Sequence, residues 1–184
     1  MQRPVVRMPR WLLAAAMVAC VVIVPARQAL AQSPAAPPAA PCDSARYREF
    51  DFWLGRWEVR TPDGKLAGTN RIERLPSGCV LQEHWTGAGG GYGTSLNFFD
   101  RATGQWHQLW VDGRGGVLRL SGGREGSAMV LRGTAPGPSG KAQQQRITWT
   151  PMPNGRVRQL WEASADGERW QTSFDGTYSP AGAP

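Results

Sequence analysis

The feature that most constrains this chain is the regularity of its turn chemistry beyond residue 60. Thr61-Pro62-Asp63-Gly64, Pro76-Ser77-Gly78, Gly87 to Gly93 and Asp100 to Gly104 each place glycine, proline or a short polar side chain where a chain reverses. The same chemistry returns at Asp112 to Gly116, Gly122 to Gly126, Pro136 to Gly140, Pro153-Asn154-Gly155 and Ser164 to Gly167. Between these clusters lie short runs rich in β-branched and aromatic residues. None of them carries a sustained helical apolar period with caps. Reversals at this spacing imply about ten short strands, hence an all-β body built as an antiparallel barrel or a sandwich.

The first 31 residues stand apart from that pattern. Arginines at 3, 7 and 10 precede an apolar run from Trp11 to Ala26, and Ala29-Leu30-Ala31 offers small residues at a cleavage point. Residues 1–31 therefore read as a secretory signal peptide, which implies a periplasmic or secreted protein. The apolar run falls short of the roughly 20 residues of a spanning helix, so no stable membrane insertion is expected once the leader is gone. Met17-Val18-Ala19-Cys20 is a poor lipidation signal, because apolar residues continue beyond the cysteine. The formal charge of +7 includes the leader's arginines at 3, 7, 10 and 27. Without them about +3 remains, carried by scattered side chains, and a field of that kind gives nucleic acid nothing to track.

Residues 32–41, QSPAAPPAAP, are a Pro/Ala-rich tether expected to be disordered or extended. The folded domain is placed at 42–180, with a short disordered tail at 181–184. Beyond the leader only Cys42 and Cys79 remain, and an even pair in an exported chain reads as a disulfide, the alternative being two unpaired thiols. On the chain-entropy model such a bridge stabilises by roughly 4 kcal/mol at most.

Alternation along three strands brings tryptophan and a polar group onto one face. Cys79, Leu81, Glu83 and Trp85 share a face, as do Trp106, Gln108, Trp110 and Asp112, and Val157, Gln159 and Trp161. The opposite faces hold Leu109, Val111 and Leu160, so hydrophobicity alone does not say which side is inward. Turned inward, these rows give a lumen of Glu83, Trp85, Asn97, Gln108, Trp110, Gln159 and Trp161. Flat apolar rings with a few hydrogen-bonding groups suit a small amphipathic or aromatic ligand. The alternative is a packed barrel in which the polar groups satisfy one another. Two further readings stay open: a barrel hydrolase or isomerase using Glu83 or Asp112, and a structural or interaction domain of the cell envelope.

The stretch EFDFWLGRWEV (residues 49–59) sharpens the choice of fold. Gly55-Arg56-Trp57 at the start of the first strand resembles the G-x-W signature of lipocalin-like (calycin) barrels. That resemblance implies a short helical turn plugging one end through Phe52, Trp53, Gly55 and Trp57. The phrases GCVLQEHW, GTSLNFFD, TGQWHQLWVD, RITWTP, VRQLWEAS and FDGTY follow in an order similar to an uncharacterised bacterial family of exported lipocalin-like proteins, over roughly residues 42–178. It implies a nearly closed barrel of about ten strands and an exported location, and no activity. Nitrobindin-like barrels are a more distant likeness; they hold haem through a histidine near the C-terminus. Here the histidines are His84 and His107, with none later, so that axial ligand is missing and no cofactor is expected.

Other motifs resolve into structural devices. The glycine run from Gly87 to Gly93 leads into a strand rather than opening a helix, which fits a rim hairpin better than a phosphate cradle. Ser164-Ala165-Asp166-Gly167-Glu168-Arg169-Trp170 resembles an Asp-box hairpin shortened by one residue. His84 and His107 could meet across neighbouring strands, but Glu83 is alternation-opposed to His84, and Asp112 to His107, so no metal site is expected.

Overall fold

The computed structural model describes residues 42–182. The segments expected to be a leader (1–31) and a tether (32–41), and the last two residues of the expected tail, lie outside the described residues. Ten strands follow in order: β1 (Gly55–Arg60), β2 (Leu66–Arg74), β3 (Val80–Gly87), β4 (Tyr92–Asp100) and β5 (Gln105–Asp112), then β6 (Val117–Glu125), β7 (Ala128–Pro136), β8 (Ala142–Pro151), β9 (Val157–Ser164) and β10 (Gln171–Pro180). Each pairs antiparallel with its sequence neighbour, and β1 pairs with β10, so the sheet closes into a barrel and leaves no free edge. Closure decides between the barrel and the sandwich.

Cross-strand register fixes which face is inward. Ile72, Glu83, Ser95, Trp110 and Leu118 form one continuous row across β2 to β6. Leu81, Asn97, Gln108 and Leu120 form the next. Both rows turn inward, and their members are buried apart from Trp110, which is half-exposed. The outward face carries bidentate pairs such as Arg158 to Asp175 and Arg132 to Glu125.

One end of the barrel is sealed by the aromatic stretch. Two short 3-10 turns, Ala45–Arg48 and Asp51–Trp53, lead into β1. Trp53 is fully buried and stacks on Phe50, with ring centroids 4.9 Å apart. Trp149 meets both rings, at 5.1 Å from Phe50 and 5.3 Å from Trp53. The Trp57 indole N–H donates to the Trp53 carbonyl at 3.0 Å. Gly55 has φ +140°, a conformation that strains any residue with a Cβ, and the Trp57 ring packs beside it. Phe52 is only half-buried; Phe50 is the ring that fills the end. The plug is also tied laterally. Arg74 of β2 reaches Asp51, the Trp106 indole N–H donates to Glu49 at 3.2 Å, and the Cys42–Cys79 disulfide joins the segment to the start of β3.

Not every glycine cluster is a turn. Gly122 and Gly123 lie within β6, and the reversal is made at Gly126 and Ser127. Gly122 faces β7, where a Cβ would run into the Val130 carbonyl. Similarly, Gly93 belongs to β4, and a Cβ there would collide with the Trp110 indole. The two histidines do not meet. β4 separates their strands; His84 lies outward beside Glu73, and His107 stacks on Phe98 with centroids 5.5 Å apart.

The β9–β10 reversal behaves as its sequence suggests. The Ser164 hydroxyl accepts from the Gly167 N–H at 2.8 Å and donates to Asp166 at 3.0 Å. Asp166 in turn accepts the backbone N–H groups of Glu168 and Arg169 at 2.9 Å each. Those two amides, Arg169's first, hold the Asp166 carboxyl well below the usual carboxylate range. The Trp170 indole N–H donates to the Gly167 carbonyl, while its ring lies 4.1 Å from the Arg146 guanidinium. Ser164→Ala should remove the partner of a part-buried turn amide and lower stability by about 1 kcal/mol. Urea unfolding followed by tryptophan emission reads that loss.

Candidate functional site

Away from the plug the barrel is not filled. A cavity of about 200 Å³ opens among β3, β5, β8, β9 and β10. Glu83 and Trp85 come from β3, Gln108 and Trp110 from β5, and Gln159 and Trp161 from β9. Ile147 of β8 and Ser173, Phe174 and Tyr178 of β10 complete the wall. Six of the seven lumen residues expected from alternation line this space. Asn97 does not: it turns inward but is fully buried, its Nδ2 donating to the Ser95 hydroxyl at 2.8 Å and the Leu81 carbonyl at 3.3 Å.

Four residues of this site escaped the sequence reading, two of them for a local reason. Pairing of β10 with β9 shifts register between Thr172 and Phe174, so Ser173 and Phe174 both reach the cavity despite being neighbours. Strict alternation places only one of them inward. Tyr178 and Ile147 lie on uninterrupted faces, and the spacing of Phe174, Gly176 and Tyr178 in FDGTY was the available signal.

The lining divides by chemistry. Trp85, Trp110, Trp161 and Phe174 supply the apolar walls, with Trp85 and Phe174 meeting edge to face at 6.0 Å. Glu83, Gln108, Gln159 and Tyr178 supply the polar groups. Glu83 is 4% exposed and its carboxyl is held from both sides. Asn70 Nδ2 donates to Oε1 at 2.7 Å, and the Ser95 hydroxyl to Oε2 at 2.6 Å. Ser95 itself accepts from Asn97 at 2.8 Å and, more distantly, from Gln108 at 3.4 Å, which directs its proton toward Glu83. The Tyr178 O–H donates to Gln159, and Asn70 Nδ2 also approaches the Tyr178 oxygen.

Among the described residues no Lys, Arg or His lines the cavity. Burial therefore acts on Glu83 without a cation to oppose it and pushes its pKa up to about 7, the hydrogen bonds from Ser95 and Asn70 offsetting only part of the rise. Burial, reinforced by the Glu83 charge, also lifts the Tyr178 phenol well above its ordinary value.

Asp112, the other acid considered for catalysis, is a turn residue outside this wall. Its Oδ1 accepts the N–H groups of Arg114 at 2.8 Å and Gly116 at 2.9 Å. The Gly116 and Arg114 amides keep it below the normal range. It borders a separate rim depression shared with Trp85, Trp110, Tyr92 and the Gly89–Gly91 loop. Among the described residues no group of three or more His, Cys, Asp or Glu is placed to hold a metal ion. No protein-family model matches the chain, and no curated protein matches it.

Proposed function

We propose that this barrel is an exported binding protein whose ligand is a small amphipathic or aromatic molecule, taken up in the cavity around Glu83. One observation carries the reading: a hydrogen-bonded carboxyl lines a hollow together with the rings of Trp85, Trp110, Trp161 and Phe174. The size supports a compact ligand. A cavity of about 150 Å³ accommodates benzene, so the roughly 200 Å³ present here suits one ring with a short substituent. An exported location is part of the proposal and draws support from the Cys42–Cys79 disulfide, since such bonds persist in oxidising compartments. The lipocalin-like kinship belongs to it too and rests on the G-x-W segment and the phrases that follow.

Tryptophan emission offers a direct assay, because three indoles border the space. Titration with single-ring metabolites should give a saturable change. Trp110→Ala should weaken that binding about tenfold, or 1.4 kcal/mol, with the melting curve of a folded barrel retained. Absence of any saturable response across the panel would leave the envelope-domain reading in its place. One observation favours catalysis instead: a carboxyl with pKa about 7 is suited to acid–base work. Turnover of a bound compound, abolished by Glu83→Gln, would mark the barrel as an enzyme.

A further inference from the structure

We infer that the ligand is an organic cation, a small ring or short chain bearing an ammonium group, held by the Glu83 carboxylate beneath the rings of Trp85, Trp110, Trp161 and Phe174. The inference rests on the pocket reading above and adds the sign of the ligand's charge.

Its ground is a missing counter-charge. Glu83 is the one Asp, Glu, Lys or Arg among the described buried residues. Buried charges in proteins are normally paired, because desolvating an isolated carboxylate is costly. Basic side chains are plentiful on the outer face of the barrel, yet among the described residues none lines the cavity. The donors that do reach Glu83, Asn70 and Ser95, are neutral. They fix the carboxyl in place and leave its charge uncompensated.

The surroundings also suit a cation. Aromatic rings attract a cation placed within about 6 Å of their centroids, most strongly when water is excluded, and a cavity this small keeps any occupant near several rings. An anionic ligand would meet Glu83 with no Lys, Arg or His among the described residues lining the cavity to offset it.

The pH dependence follows from the groups that face Glu83. β2 contributes Asn70, β4 Ser95, β5 Gln108 and Trp110, and β10 Tyr178. Among the described residues Tyr178 is the only other titratable group lining the cavity, and burial keeps its phenol neutral past its ordinary range. The nearby charges of Arg71, Glu73 and His84 lie on the outer side of the β2–β3 wall and pair with one another. An alkylammonium stays charged up to about pH 10, so the titration between pH 5 and 8 belongs to Glu83. A cation prefers the ionised carboxylate. Affinity should be full above pH 7 and fall as pH drops below it.

The test uses three probes of one shape and different charge: benzylamine, benzyl alcohol and benzoate, titrated into the purified protein by calorimetry at pH 8 and pH 5.5. Benzylamine should bind at least tenfold more tightly than the other two at pH 8, and lose about tenfold or more at pH 5.5. In Glu83→Gln the preference for the amine and its pH dependence should both disappear. Benzyl alcohol or benzoate binding as tightly as benzylamine overturns the cation inference and leaves the pocket standing. Failure of all three probes to bind wild-type protein at millimolar concentration overturns both. The wild-type comparison decides the matter even if the variant does not fold.

Discussion

Glu83→Gln should make the barrel more stable at pH 8, by about 3 kcal/mol, although it removes a charged residue with two good hydrogen bonds. The sign follows from linkage. The carboxyl has an ordinary pKa of 4.5 when the chain is unfolded and about 7 when folded. The folded protein thus holds the proton more tightly than the unfolded chain. Stability associated with this group is fully present below pH 4.5 and is lost as pH rises to 7, at about 1.4 kcal/mol per pH unit. Glutamine mimics the protonated acid in shape and hydrogen bonding, and has nothing to ionise.

The measurement is a difference of two urea-unfolding series, wild type and variant, from pH 4.5 to 8. The curves should converge at the acid end and separate steadily until about pH 7. The Asp carboxyls that are held down by hydrogen bonds, Asp166 and Asp112 among them, destabilise both proteins alike in acid and cancel in the difference. A variant less stable than wild type at pH 8 would mean that Glu83 is compensated in a way its neighbours do not reveal. A group that costs the fold stability at working pH, when an isosteric neutral residue would not, fits a site kept for binding.

Legibility of the sequence divided along physical lines. Turn chemistry is local, so the ten strands and their approximate limits could be read from glycine, proline and short polar residues alone. It failed where glycine served close approach instead of reversal, as at Gly122 and Gly93, because a missing Cβ leaves the same letter in both cases. Alternation grouped Glu83, Gln108, Gln159 and three tryptophans correctly onto shared faces, but could not choose the inward side. That choice belongs to closure of the sheet, a long-range property set by β1 meeting β10. The partners of Glu83 were the hardest to foresee. Asn70 and Ser95 sit on the neighbouring strands β2 and β4, where register decides which side chains meet the carboxyl, and Tyr178 arrives from β10, 108 residues from the Asn70 it touches. Ser173 was hidden by a register shift that breaks the period of two.

Trp53→Ala should cost the largest amount of any single substitution in the plug, about 3–5 kcal/mol. The indole is fully enclosed by Phe50, Trp149 and Tyr178, and Trp57 lies over its carbonyl. Rings locked together by the closed end of a barrel cannot collapse into the space a deleted indole leaves. Against a total stability of order 5–15 kcal/mol, that loss leaves a domain close to its unfolding threshold. Trp53→Phe separates packing from polarity. The Trp53 indole N–H has no partner among the described residues, so removing it costs no hydrogen bond, and a phenyl ring keeps the stack on Phe50. Its expected loss is about 1–2 kcal/mol, from the smaller ring alone. Thermal unfolding of the two variants should therefore differ markedly, while benzylamine affinity, measured where each is still folded, should stay at the wild-type value. Equal losses in both variants would show that the end is soft enough to repack. A change in affinity would show that plug and cavity move as one body, with Tyr178, which touches both, as the link.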